Sequence, residues 1–493
     1  MSKIVFINPS VDRHTESQQW KFGVVSFLKK GKRMTVISRL PAMIIGALTP
    51  REHSFIFVDE EIEDIDFDHT DADLIAITAM TCQSKRAFEI ADEFRRRGIK
   101  VVIGGIHVSV IPDSAEGHAD AICIGQGENV WPDILKDFEA GTLKPRYEAK
   151  DYPPVTVQTS PRVDIVKHDQ YVYFPLMATR GCPNECEFCS IKHSSGHIVR
   201  YKPVEQIMAE VADLEKYNTE TLKKRYQFMD DNLYINKEYT KQLFTALKSA
   251  NIQWVGQGTL NTALDEEMVK LMAESGCKMY FIGFESITET SLKEANKLKS
   301  NKVEDYEKAI KNLNKHGIIS AGYFIVGFDG DDKAVFKDTL AFIKEKRVIN
   351  ALVGILTPLP GTKLYERVVE RIFDHRWEHF TCLRSLFTPN QMTVEELTAG
   401  YIWINKEVRR LELVKTQFDY FWSQGPWPTN PRIKLWERVV LFLLGIQLRG
   451  KKEYREHSDF LIWAAKHKNA VDVMAILGAV AYCDQMTISY DYN

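Results

Sequence analysis

The chain has 493 residues, with 64 basic and 67 acidic side chains and a formal net charge of −3. Apolar residues at 44% and charged residues at 27% exclude collagen-like, disordered and disulfide-scaffold classes, and the length suits two to four domains. The near-neutral balance gives no support for a polyanion-binding protein, so no nucleic-acid partner is expected.

The N-terminus, MSKIVFINPS, runs directly into a strand pattern without a signal-peptide pattern, and no apolar stretch reaches the roughly 18–20 residues of a membrane span. A cytoplasmic location is the default expectation. From residue 1 to 150, short β-branched runs at 4–10, 55–60, 74–80, 101–105 and 121–125 alternate with amphipathic stretches such as SKRAFEIADEFRRRG (84–98). That alternation predicts a doubly wound parallel sheet, whose ligands bind at the carboxyl ends of the strands. The candidate strand ends are Asn8-Pro9-Ser10, Thr78 to Thr81, Gly104-Gly105 and Gly125-Gln126-Gly127-Glu128. Glycines there could equally serve only tight turns. His107, just after them, reads as an ordinary polar loop residue rather than a metal ligand.

A proline-containing stretch at 151–170 reads as a linker. Six further strand–helix units follow up to about residue 375, predicting a partial or complete parallel barrel with its site on the loops after the strands. Residues 376–493 change to mostly helical patterning, with Trp403, Trp422, Trp427, Trp436 and Trp463 among them. Within them, the apolar run Val439 to Leu448 has basic flanks. Its plain reading is a buried helix of a C-terminal cap. The sharper reading is a greasy lid over an apolar substrate, with peripheral membrane contact.

The eight cysteines are at 82, 123, 182, 186, 189, 277, 382 and 483, and three of them fall within ATRGCPNECEFCSIKH. Cys182, Cys186 and Cys189 form C-x3-C-x2-C directly after a strand. Three thiolates can hold three irons of a 4Fe–4S cluster and leave the fourth open. The competing reading is a closed zinc site with His193 or His197 as fourth ligand, which would make the chain a non-catalytic metal-binding protein. The other five cysteines are expected to be packing residues.

The cysteine loop and the later strand ends resemble the radical S-adenosylmethionine (SAM) superfamily. In that family the open iron chelates SAM, and an electron from the cluster releases a 5′-deoxyadenosyl radical. The resemblance implies that Phe188 lies near the adenine. It also implies that Asp230 and Asp231 in FMDDN accept from the SAM amino group, and that Glu285 and Ser286 in GFES lie at the ribose. Tyr323 to Phe328 resembles the fifth-strand segment, and Leu356 to Thr362 the closing loop. The N-terminal region resembles the cobalamin-binding module that precedes the barrel in one subgroup. By that resemblance Asn8, Ser10, Thr78, Thr81, Gly104, Gly105, Gly125, Gly127 and Glu128 frame the corrin and its nucleotide tail. No D-x-H-x-x-G is present, so no cobalt-ligating histidine is readable. Methylthiotransferases are excluded because only Cys82 and Cys123 precede the barrel. Residues 376–493 resemble the helical extension of hopanoid-methylase-like proteins.

The implied activity is C-methylation of an unactivated carbon by a cobalamin-dependent radical SAM enzyme. The implied partners are an external electron donor of flavodoxin or ferredoxin type and a small, apolar substrate, with lipid slightly favoured over tetrapyrrole. The alternative is a cyclase, oxidase or rearranging enzyme built on the same cofactors.

Overall fold

The computed structural model describes residues 1–11, 35–37, 39–149, 160–218 and 225–425, with isolated positions 152 and 462. Its strands are β1 (Lys3–Asn8), β2 (Thr35–Ile37), β3 (Ser54–Asp59), β4 (Leu74–Thr78), β5 (Lys100–Gly104), β6 (Ala121–Ile124) and β7 (Arg146–Glu148). They continue with β8 (Tyr171–Leu176), β9 (Thr179–Arg180), β10 (Arg200–Tyr201), β11 (Arg225–Phe228) and β12 (Trp254–Gly258). The last three are β13 (Cys277–Glu285), β14 (Ile319–Val326) and β15 (Asn350–Ile355).

The first sheet has the order β3-β1-β4-β5-β6-β7, with every pair parallel. Both of its faces are covered, which is why its strands are continuous apolar runs. Ile4, Phe6, Leu74 and Ala76 pack with helices Leu40–Leu48 and Gly127–Glu139 on one face. Val5, Ile7, Ile75 and Ile77 pack with helix Ser84–Arg96 on the other. The strand order reverses at β1 and β4, so the crevice outside their ends is flanked by Asn8-Pro9-Ser10 and by Thr78 to Thr81.

The second sheet has the order β15-β14-β13-β12-β11-β8-β2 and is also parallel throughout. Its ends do not pair with each other, so the barrel is partial. Trp254, Tyr280, Ile282 and Phe284 face the outer helices. Val255, Met279, Ile319 and Ala321 face the other way, against Val414, Phe418, Phe421 and Trp422 of helix Leu411–Ser423.

Two sequence boundaries look different in three dimensions. Residues 35–37 precede most of the first sheet in the chain, yet they form the outer edge of the second, pairing with β8. The described part of the C-terminal region is integral to the barrel: helix Val394–Val408 packs Leu397, Tyr401 and Ile404 into the barrel core. The run Val439 to Leu448, with Trp427, Trp436 and Trp463, lies outside the described residues. No helix among the described residues is long and apolar enough to cross a membrane.

Candidate functional site

The loop carrying Cys182, Cys186 and Cys189 leaves β9 and returns through β10, which pairs antiparallel with it. Gly181 turns at φ 101°, and a Cβ there would run into the Ile198 carbonyl, so the loop entrance requires glycine. The loop is tied down from several sides. The Cys182 N–H donates to Gly196 O at 3.2 Å and the Glu187 N–H to Ala295 O at 3.2 Å. Leu364 N–H donates to Glu187 O at 2.9 Å, and Asn296 Nδ2 to Glu185 O at 2.9 Å. The turns after β13 and β15 therefore hold the cysteine loop over the barrel mouth.

The three thiols are free and half-buried. Among the described residues, no three His, Cys, Asp or Glu side chains converge as a single-ion site requires. Three free thiols on one loop suit a cluster in which each thiolate takes its own iron. His193 Nε2 lies 2.7 Å from the Gly361 carbonyl, which ties the loop to the segment after β15. The donor set fits a cluster.

Glu285 ends β13 at φ 63°, in the left-handed region that a non-glycine residue adopts only at a cost. A register shift against β14 falls at this point. The turn folds the Glu285 carboxylate back over Gly283, where a Cβ would collide with it. There Oε1 meets Lys297 Nζ at 3.2 Å, with both side chains about nine-tenths buried. Burial works to lower the Lys297 pKa, but Glu285 and Cys186 outweigh it and the net shift is upward, so Lys297 stays an ammonium. Lys297 was not legible from the sequence: twelve positions separate it from Glu285, and nothing in ANKLKS marks it.

The two aspartates after β11 differ. Asp230 is fully buried, and its carboxylate accepts from the N–H groups of Ala178 and Thr179 and from Thr179 Oγ1. Burial pushes its pKa up to about 7 against those hydrogen bonds. Asp230 thus locks the start of the cysteine loop and presents no carboxylate to the barrel mouth. Asp231 is half-buried and accepts from the Gly181 N–H at 2.8 Å. Beside it, Asn232 is 1% exposed, and neither its amide oxygen nor its amide nitrogen has a partner. A buried amide left unmade is costly, and its position at this strand end fits a polar ligand such as SAM. Ser286 is buried, with its Oγ accepting from the Thr288 N–H at 3.2 Å. Phe188 is half-buried against the apolar cluster that includes Phe328 and Leu356.

At the first sheet the polar strand ends are mutually satisfied. Asn8 Nδ2 donates to Asp59 at 2.8 Å, and Ser10 donates from both N and Oγ to Glu60, which Arg86 also grips. Thr78 is half-buried and Thr81 buried, opening the turn into helix Ser84–Arg96. Gly105, at φ 103°, has no room for a Cβ beside Ala79. Gly104, Gly125 and Gly127 have Cys123, Ala149 and Ile45, respectively, against the same position. These glycines permit close internal packing, and the strand ends they leave are smooth. Glu128 turns away from the first sheet to pair with Arg180 of β9, and Gln126 bonds Arg200 of β10. His107 is fully buried, not a loop residue; burial pushes its pKa down to about 4 and Nε2 lies 3.1 Å from Ser114 Oγ. It rests against Phe88 and Trp377, and its Nδ1 has no hydrogen-bond partner.

Residues 176–343 match the radical SAM superfamily, and residues 42–135 match the B12 binding domain. The chain is 32% identical over 378 residues to bacteriochlorophyllide d C-12(1)-methyltransferase of Chlorobaculum tepidum, covering 75% of this chain and 82% of that protein. It is 33% identical to bacteriochlorophyllide d C-8(2)-methyltransferase of the same organism, covering 69% and 78%. The chain belongs to the cobalamin-dependent radical SAM enzymes. Its fold is also that of the cobalamin-dependent SAM radical enzyme OxsB, at a TM-score of 0.64 and 14% identity, covering 99% of this chain and 79% of that one.

For a cobalamin-dependent radical SAM enzyme of the methyltransferase type, the cofactors are a 4Fe–4S cluster, SAM and cobalamin. Three further cysteines have no place at this site. Cys123 and Cys277 are buried and Cys82 is half-buried, and desolvation raises the pKa of all three thiols, to about 12 for Cys82 and Cys123.

Proposed function

We propose that this enzyme methylates an unactivated carbon of a small, largely apolar substrate of the tetrapyrrole class. The observation that carries the reading is the meeting of two strand-end surfaces. The cysteine loop over the barrel mouth is bonded to the Gly125–Glu128 turn at the carboxyl edge of the first sheet. A methyl donor on one surface and a hydrogen-abstracting group on the other would then share one crevice. The preference for a tetrapyrrole over a lipid is supported by the two bacteriochlorophyllide d methyltransferases, each covered over more than three-quarters of its length. The stacked pair Phe281 and Tyr323, with centroids 5.1 Å apart, supports it too, since it offers a flat apolar wall on the strands that lead to the mouth.

When bound, the cluster, SAM and cobalamin supply the electron, the hydrogen-abstracting fragment and the methyl group. The chain's part is placement. Cys182, Cys186 and Cys189 hold the cluster, and Asp230 locks the loop from beneath. Glu285, in its strained turn, accepts from the SAM ribose, while Ser286 shapes that turn and Phe188 packs at the adenine. Asp231 and Asn232 face the SAM amino end. Asn8, Ser10, Thr78, Thr81, Gly104 and Gly105 form the smooth floor for the corrin and its tail. A one-electron donor of flavodoxin or ferredoxin type delivers the electron from outside.

The test is anaerobic reconstitution followed by incubation with SAM deuterated at its methyl group, offering a chlorophyllide-type pigment and a polyisoprenoid in separate reactions. Deuterated methyl in the pigment is the expected result. Label in the polyisoprenoid alone, or a pigment desaturated or cyclised without added carbon, would overturn the reading.

A further inference from the structure

The neck of the cysteine loop contains an unfavourable pairing. Arg180 and Arg200 are direct cross-strand partners in the β9–β10 ladder. Like charges facing each other across a two-stranded ladder repel, and such a short ladder has little else to hold it. Arg200 carries the mark of this: burial and the Arg180 charge lower its pKa, while Glu128 and Asp231 act in the opposite sense.

The compensating groups come from the other sheet. Glu128 takes an ion pair from Arg180, with side chains 20% and 11% exposed, so this is not a solvated surface contact. Gln126, 3% exposed, accepts from Arg200 through Oε1 at 3.0 Å. Its Nε2 donates to the Ser194 carbonyl at 3.0 Å, inside the returning limb of the loop. Arg200 also donates to Ser195 O at 2.6 Å, and the Tyr152 ring lies 5.2 Å from its guanidinium. One residue on, Gly196 O receives the Cys182 N–H. A continuous run of polar contacts thus leads from the edge of the first sheet to the first cysteine.

We propose that Gln126 and Glu128 are positioning residues for the cysteine loop: Glu128 neutralises one of the paired arginines at its neck, Gln126 hydrogen-bonds the other, and together they set how the three thiolates face the crevice. The family resemblance placed Glu128 at the corrin; the geometry gives its carboxylate to Arg180 instead. The inference rests on the cluster reading of the three cysteines. It makes the cluster sensitive to how the first sheet is docked, because the turn that holds the neck begins directly at the end of β6.

The experiment uses full-length protein, reconstituted anaerobically, as wild type, Glu128→Ala, Glu128→Gln, Arg180→Ala and the Glu128→Ala/Arg180→Ala double variant. Iron and sulfide content, the cobalamin absorbance spectrum, the electron paramagnetic resonance of the reduced cluster with and without SAM, and SAM affinity are read for each. Glu128→Ala is expected to keep iron, sulfide and cobalamin but to shift the SAM-dependent cluster signal and weaken SAM binding by about tenfold. Arg180→Ala removes the repulsion together with the ion pair and should be milder. The double variant should be no worse than Glu128→Ala, because the charge that Glu128 offsets is then gone as well. Glu128→Gln, which keeps an acceptor but not the charge, should fall between and provides the answer if the alanine variant does not fold. An unchanged cluster signal and SAM affinity would overturn the inference. So would a selective loss of cobalamin, or effects of the two single variants that multiply in the double. Failure of the wild type to take up iron would instead overturn the cluster reading beneath it.

Discussion

The carboxyl ends of the two parallel sheets are built on opposite plans. At the first sheet, Asn8, Ser10, Asp59, Glu60 and Arg86 satisfy one another, and the surface they leave is closed and unstrained. At the second, three thiols, an unpartnered buried amide at Asn232 and a left-handed Glu285 stand at the strand ends. A surface whose polar groups are internally paired can hold a large ligand by shape. One that keeps donors uncommitted and backbone strained is prepared to form specific bonds. Placement falls to the first sheet and chemistry to the second.

The contrast can be broken most severely at the cysteines. Replacing any one of Cys182, Cys186 or Cys189 with alanine should reduce iron incorporation and SAM cleavage to background while leaving the thermal unfolding of the apoprotein near that of the wild type. Retained cleavage would refute the assignment.

The first sheet should fail by unfolding rather than by losing chemistry. His107 is buried, with a pKa pushed down to about 4, so the folded state resists its protonation. Its contribution is fully present above the ordinary histidine pKa of about 6.5 and is lost as pH falls from there towards 4, because the unfolded chain binds the proton first. Up to about 3 kcal/mol of stability should disappear over that window. Denaturant unfolding of wild type and His107→Leu at pH 7 and pH 4.5 checks this; an equal pH dependence in both proteins would exclude His107 as the cause.

Glu285→Gln tests the second sheet at a single carboxylate: the amide keeps the size, loses the charge and removes the buried ion pair with Lys297. Loss of a charge-assisted hydrogen bond, about 1.5–3 kcal/mol, should weaken SAM binding by about 10- to 100-fold. Cobalamin affinity should be unchanged, and titration of both ligands separates the two. The smallest effect is expected from Gly105→Ala. A side chain at φ 103° against Ala79 should cost more than about 1 kcal/mol, seen as a lower urea midpoint, while cluster spectra of the folded fraction stay as in wild type.

Legibility in the sequence followed the range of the interactions involved. Strands such as Leu74–Thr78 and Ala121–Ile124 could be read because a strand covered on both faces is an unbroken apolar run. The three cysteines could be read because their spacing is local. β2, β9 and β10 could not, since two or three residues carry no period and exist only through their partners. The same limit explains Glu128 and Asp230. A sequence shows a carboxylate at a strand end; that Arg180 or the Thr179 N–H will consume it depends on what the fold brings opposite.

The edge strand β2 bears on how this protein can be made and divided. Because residues 35–37 hydrogen-bond to β8, a cut near residue 150 would produce two damaged fragments rather than two modules. One would carry an orphaned strand, and the other would expose the β8 edge, an open template for another chain. During synthesis the barrel's first long strand emerges after its neighbour, so its outer side can be covered as soon as it appears. Grafting a foreign cobalamin-binding module onto this barrel should therefore succeed only when the segment containing residues 35–37 is retained with the barrel it completes.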